Sequence, residues 1–493
     1  MRTLTLISTI IALAFSAGAQ ASSDICANAP REFRGAWMST IYQEQWSRQT
    51  TAQNKEYIRS QLDELKRTGC NAIIFQVRPQ ADAFYPSQIE PWSRHLTGAA
   101  GRAPNPTWDP LSFIISEAHA RGMELHAWLN PYRVTTTAKE TLPKGHIYHQ
   151  HPERFIKYGG KIYFDPALQE NRDFIARVVA DIVTRYDIDA IHFDDYFYPY
   201  PVKGTPFPDD KSYRKFGKGM NRGDWRRHNV DLLIEQIHNT IASIKPWVRF
   251  GISPFGIWRN KTSDPDGSDT GGLQNYDDLY ADVLLWARKG WIDYLMPQLY
   301  WQLEHKIAST ITLAHWWNSH SCGRRMYFGQ DVEKSMDYAD IGSSGDKSQL
   351  AHKIALSREL PNVHGNCWWP AYSLTKNYKG VADMLATKYQ AQPALPPNYP
   401  WLDSIPPEPP IKVVATQSGK ATTLTWRTTY TEDPLQQPHL FAIFRDGLLL
   451  DITDARSYTD IDAPKGKHTY AVATLDRTNN ISSPAVAAPS GSR

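Results

Sequence analysis

The stretch Arg172-Asp-Phe-Ile-Ala-Arg-Val-Val-Ala-Asp-Ile-Val-Thr-Arg-Tyr-Asp-Ile-Asp-Ala-Ile-His-Phe-Asp-Asp-Tyr196 changes period once, and that change decides the fold. Phe174, Ile175, Val178, Val179, Ile182 and Val183 recur at the spacing of one helical face. Ala190 to Tyr196 is a short apolar run interrupted by two carboxylates, which predicts a buried strand. The same handover recurs along the chain. Strands are predicted over 33–40, 72–78, 124–130, 190–196, 249–255, 294–300, 325–330 and 366–371. Between them lie further helical stripes, such as Ile58, Leu62 and Leu65, or Leu233, Ile237, Ile241 and Ile244. Asp109-Pro110 is a helix cap followed by a first-turn proline, and Asn171 precedes another predicted helix start.

Eight strands alternating with helices specify an α/β chain with a parallel sheet, and eight strands close a (β/α)8 TIM barrel, here over 31–390. A doubly wound open sheet is the alternative. It is disfavoured because no glycine-rich phosphate loop follows the first strand. Branched aliphatic residues are expected to fill the barrel interior.

The flanks differ in composition. Residues 1–21 predict a secretory signal: Arg2, an apolar run from Leu4 to Phe15, and the small-x-small site Ala19-Gln20-Ala21. A secreted or periplasmic location follows, and no other run is long enough to span a membrane. Export permits disulfides, and the four cysteines suggest Cys26–Cys70 and Cys322–Cys367; four reduced thiols are the alternative. Residues 391–410 are a proline-rich linker. The tail, 411–488, switches to short alternating strands and predicts an all-β sandwich. It resembles a fibronectin type III module, with Trp426 at the core position and Phe444-Arg-Asp-Gly447 at a hairpin. The module's partner is open.

A net charge of +3, from 54 basic and 51 acidic residues, excludes a strong nucleic-acid footprint. The 17 tryptophans exceed what a core needs, so their placement matters.

Barrel enzymes carry their chemistry at the C-terminal ends of the strands. Strand 4 ends in Asp194 and Asp195, and alternation puts Asp194 on the face of His192 and Tyr196. Glycoside hydrolysis usually takes two carboxyl groups, one kept protonated and one ionised. Asp194 is expected to be the ionised member. Asp195, Asp331, Glu304 and Asp82 are candidates for the acid, with Asp331 best placed by register. Other strand ends present Trp37, Arg78, Asp82, Trp128, Asn130, Tyr132, Arg133, Tyr196, Trp258, Gln298, Tyr300, Trp301, Trp368 and Trp369. Aromatic faces stack on sugar rings, and amides and charged groups bond hydroxyls, so this set predicts a cleft for a glycan polymer. No cofactor is called for. His146, His149 and His151 form a weak metal pattern that would suit a polysaccharide deacetylase. A non-catalytic carbohydrate-binding barrel is a further alternative.

Six motifs carry a family resemblance: Phe33-Arg-Gly-Ala-Trp37, Gln76-Val-Arg-Pro79, Trp128-Leu-Asn-Pro-Tyr-Arg133, His192-Phe-Asp-Asp-Tyr-Phe-Tyr-Pro199, Ser253-Pro-Phe-Gly-Ile-Trp-Arg-Asn260 and Pro297-Gln-Leu-Tyr-Trp301. In order and spacing they resemble the glycosyl hydrolase-like 10 family. The resemblance implies a TIM barrel, export, a glycosidase role and frequent C-terminal immunoglobulin-like or fibronectin-like modules. One enterobacterial member cuts peptidoglycan glycan strands that lack stem peptides. Asp194 and Asp195 are the natural carry-over of catalytic function. Strand 4 is also partly similar to the family 18 chitinase pattern D-x-x-D-x-D-x-E. Asp189 and Asp194 keep two of its acidic positions, but Tyr196 stands where the general-acid Glu would be. Chitinase chemistry in its usual form is therefore not expected.

Overall fold

A computed structural model describes residues 29–489 except 42, 138 and 340–347. The predicted leader and Cys26 lie outside the described residues. The chain divides into two compact units, one holding 33–118 and 123–389, the other containing 390–489.

The larger unit is a closed barrel of eight parallel strands. These are β1 (Phe33–Met38), β2 (Ala72–Arg78), β3 (Glu124–Leu129), β4 (Ala190–Phe193), β5 (Arg249–Ile252), β6 (Tyr294–Leu295), β7 (Arg325–Asp331) and β8 (Val363–Trp369). Their order around the ring is β1-β8-β7-β6-β5-β4-β3-β2. All eight predicted strands are present, but several stop early. Proline cannot donate to a ladder, and Pro131, Pro254 and Pro297 follow closely on β3, β5 and β6. β4 ends at Phe193, so Asp194 and Asp195 stand on the turn that leaves it.

The helices bear out the apolar periodicity. Ile58, Leu62 and Leu65 are the buried face of Thr51–Arg67, which starts in a capping box of Thr50 and Gln53. Asp109 caps its helix through Ser112 N at 3.0 Å. Asn171, expected just before a helix, lies inside Gln169–Arg185, where its amide donates to Arg154 O and Asp165 O. The predicted loop 131–167 contains a β-hairpin, Phe155–Tyr158 with Lys161–Phe164. Gly159 and Gly160 both have positive φ, which a two-residue hairpin turn requires.

The barrel interior departs from the aliphatic expectation. Phe33 stacks on Tyr327 at 4.1 Å, Tyr327 meets Tyr294 at 5.4 Å, and Tyr294 packs beside His126 and His192. Bare backbone makes the room: a Cβ on Gly251 would sit 1.9 Å from the Tyr294 ring, and one on Gly35 2.5 Å from Phe33.

The expected Cys322–Cys367 bridge is not formed. Cys70, Cys322 and Cys367 all carry free thiols. Cys367 sits inside β8, whereas Cys322 lies outside the barrel strands on the turn before β7.

The smaller unit holds two four-stranded sheets. Val413, Leu424 and Trp426 of one pack with Phe441, Ile443, Tyr470 and Val472 of the other, as in a β-sandwich. The proline-rich segment before it is extended, yet Leu395 and Tyr399 are fully buried, and Leu395 joins the sandwich's second apolar cluster.

Candidate active site

The strand ends enclose a cavity of about 150 Å³ lined by Trp37, Trp128, Asp194, Asp195, Tyr196, Ser253, Gln298, Tyr300 and Trp369. β1, β3 and β8 supply the tryptophans, the turn after β4 the carboxylates, and the segments after β5 and β6 the hydroxyls and amide.

Asp194 is held by donors from the end of β3 and from its own turn. Trp128 Nε1 donates to its Oδ2 at 3.2 Å, Asn130 Nδ2 donates to the same oxygen, and Tyr196 N reaches Oδ1 at 3.3 Å. Behind them, Arg133 Nη2 donates to Asn130 Oδ1 at 2.7 Å and its guanidinium covers the Tyr196 ring at 4.9 Å. Gln76 Nε2 donates to that same amide oxygen at 3.1 Å. Both lone pairs of Asn130 Oδ1 are thus taken by donors, which turns its NH2 toward Asp194. Asp195 accepts from the Tyr200 hydroxyl and from the Gln298 side chain.

Burial raises both carboxyls. The Asp194 pKa is pushed up to about 7, first by burial and then by the adjacent Asp195 charge, against the pull of Arg133 and Asn130. Asp195 is raised by burial, with Tyr200 opposing. Two like charges this close titrate as a pair, which holds on to one proton well above the usual carboxylate range. Asp194 accepts from three N–H groups and Asp195 from Tyr200 and Gln298, so the retained proton belongs to the pair.

Beneath the cavity a polar column enters the barrel. Trp37 Nε1 donates to His192 Nε2 at 3.3 Å, and Ser253 Oγ lies 3.0 Å from the same nitrogen. The His192 proton is therefore on Nδ1, 2.9 Å from the Tyr294 hydroxyl, which also lies 2.8 Å from His126 Nδ1. His126 in turn reaches Glu124, which pairs with Arg249. Burial, and then His126, lowers the His192 pKa, so this imidazole is neutral.

The remaining predicted residues lie elsewhere. Asp331 caps the helix Val332–Asp337 through Lys334 N at 2.9 Å and does not line the cavity. Glu304 is exposed on the loop after β6. Asp82 is buried outside the cavity, its pKa pushed to about 7 by burial against a Ser93 hydrogen bond. Arg78 is fully buried in a two-pronged pair with Glu90. Tyr132 is core, and Trp258 stacks on Trp316 at 5.6 Å. Trp301 packs against Phe255 at 5.4 Å. Trp368 and Trp369 point to opposite sides of β8, so Trp369 lines the cavity and Trp368 is fully buried behind it. Ser253 lines the cavity without being among the site residues expected from sequence; its place at the end of a predicted strand is the signal that points to it. The three loop histidines are dispersed: His146 bonds Ala81 O, His149 bonds Leu142 O and His151 meets Glu153.

A closed parallel barrel with paired carboxylates and aromatic walls at the strand ends defines a TIM barrel of glycoside-hydrolase type. Residues 32–338 match the glycosyl hydrolase-like 10 family, and the chain belongs to that family. It is 39% identical to the glycosyl hydrolase YngK of Bacillus subtilis over 494 residues, covering 96% of this chain and 94% of that one. It is 38% identical to the glycosyl hydrolase DigH of Escherichia coli K12 over 360 residues, covering 67% and 81%. Among solved structures it resembles the PgaB (BpsB) glycoside hydrolase domain from Bordetella bronchiseptica, at 12% identity and a TM-score of 0.44, covering 73% of this chain and all of that one.

Proposed function

We propose that this protein is an exported glycoside hydrolase that cuts the glycan strands of peptidoglycan by acid/base chemistry on Asp194 and Asp195. One observation carries the reading. Two buried carboxyls with raised pKa values share a cavity whose other walls are tryptophan, tyrosine, a serine hydroxyl and an amide. Such a pair offers one acid and one anion at neutral pH. The tryptophans supply stacking faces, and Ser253 and Gln298 supply groups for sugar hydroxyls. The family and the relatives' names favour glycosyl hydrolysis; the choice of peptidoglycan rests on the resemblance carried by the six motifs. Export rests on residues 1–21. The C-terminal sandwich is read as a fibronectin type III-like spacer or binding module.

The test is release of new reducing ends from glycan strands stripped of stem peptides. Wild type should release them, and Asp194→Asn and Asp195→Asn should each be slower by about a hundredfold or more. Equal release by wild type and both variants would remove the pair from catalysis. Binding without turnover by wild type would identify a carbohydrate-binding barrel instead.

A further inference from the structure

The two carboxylates enter the cavity from one wall. Asp194 and Asp195 are consecutive, so their Cα atoms are about 3.8 Å apart, and both leave the end of β4. In the ring order, β4 and β8 are separated by three strands on either side, so they face each other across the barrel. What β8 presents to the cavity is Trp369, which meets Trp128 edge-on at 6.1 Å. β1, next to β8, presents Trp37. The wall opposite the carboxylates is therefore aromatic and uncharged. Among the described residues, no third carboxylate lines the cavity.

This arrangement limits the chemistry. In the usual two-carboxylate mechanisms, the acid and the nucleophile or base flank the scissile bond from opposite sides of the sugar. Among the described residues, no carboxylate stands across from the acid to attack the anomeric carbon or activate a water there. The arrangement favours an attacking group that comes from the substrate. Asp194, gripped by Trp128 and Asn130, is an oriented acceptor beside the acid.

We infer that the pair works on 2-acetamido sugars by neighbouring-group participation, with Asp194 orienting the acetamide N–H and Asp195 as general acid and base. The inference rests on the glycosidase reading above and specifies its substrate and intermediate. In the first step the acetamide carbonyl oxygen forms a bond to C1. The C1–O bond to the leaving sugar breaks, and the Asp195 proton goes to that leaving oxygen. The product is a bicyclic oxazolinium ion whose N–H is held by the Asp194 carboxylate. In the second step a water oxygen attacks C1, its proton passes to Asp195, and the C1–O bond to the acetamide breaks. Two inversions give net retention. Tyr196, which stands where the chitinase pattern has its acid, is not required as one, because the adjacent Asp195 takes that role.

The experiment uses the full chain and glycan strands that have been de-N-acetylated, then re-N-acylated with acetyl, fluoroacetyl or trifluoroacetyl groups. Each fluorine weakens the acyl oxygen as a nucleophile. Turnover should be restored by acetyl and fall stepwise across the series, by about a hundredfold or more for trifluoroacetyl. The first product anomer seen by NMR should have the configuration of the cleaved bond. Equal turnover across the series, or an inverted first product, would overturn this inference and leave the glycosidase reading standing. No cleavage of the acetylated strands would overturn both.

Discussion

Trp128 Nε1 lies 3.2 Å from Asp194 Oδ2, which places a carboxylate acceptor directly against the indole that walls the cavity. Trp128 and Asp194 are both buried there, and the burial that shapes the site also raises the carboxyl to about pH 7. A carboxyl raised in the folded state contributes its full stability below its unfolded pKa, about 4. That contribution is lost as pH rises toward 7. Asp194→Asn should therefore be more stable than wild type above pH 7, by on the order of 4 kcal/mol. The gain should vanish near pH 4. Thermal unfolding of both proteins between pH 4 and 8 checks it, and a gain that grew on acidification would contradict it.

Among the described residues Arg133 has no ion pair with a carboxylate, yet it positions one. Its Nη2 holds Asn130 Oδ1 and its Nε holds Pro79 O, so it sets the amide that faces Asp194. Arg133→Met should lower kcat by about tenfold to a hundredfold with a smaller change in KM. Steady-state kinetics on denuded glycan strands separate the two parameters.

Trp368 and Trp369 are neighbours with opposite duties. Trp369→Ala should weaken binding of glycan strands about tenfold or more while the fold survives. Trp368→Ala should cost about 3–5 kcal/mol of stability, because a fully buried indole is lost. Calorimetric titration and urea unfolding of the two variants should give opposite rankings.

Gly251 is where β5 yields space to Tyr294. Gly251→Ala drives a Cβ to within 1.9 Å of that ring, whose hydroxyl is tied to His126 and His192. The cost should be about 1–3 kcal/mol or more. Gly145→Ala, with nothing within 4 Å of the new Cβ, should stay within about 0.5 kcal/mol of wild type. Urea midpoints of the pair test the packing of the aromatic layer.

Asp331 ends β7, yet its carboxylate is spent on Lys334 N. Asp331→Ala should cost about 0.5–2 kcal/mol of stability, as a lost cap. Its kcat should stay close to wild type. A hundredfold fall in kcat with the fold intact would return Asp331 to the chemistry.

The predictions that came through from sequence are those that depend on local period. The apolar stripes mark helix faces, the apolar runs mark strands, and the position of Asp194-Asp195 at the end of such a run places both carboxylates on the cavity wall. Strand ends were less legible. Pro131, Pro254 and Pro297 shorten β3, β5 and β6, and the cost of a missing N–H depends on which neighbour would have accepted it. The hairpin at Gly159-Gly160 was hidden because its strands are four residues each, too short for alternation to register.

The alternation of eight strands with helices, and the crowd of carboxylates, amides and tryptophans at the strand ends, can be read from the chain alone. Both follow from periods of two and 3.6 residues, which are written along the chain. Which side chains share the cavity depends on the folded barrel. Trp37, Trp128 and Trp369 converge on Asp194 and Asp195, while Trp258, Trp301 and Trp368 pack elsewhere, Asp331 becomes a cap and Glu304 faces outward. Sequence gives each side chain a face of its own strand. Closure of the ring sets what lies opposite, and here it sets Trp369 across from the pair.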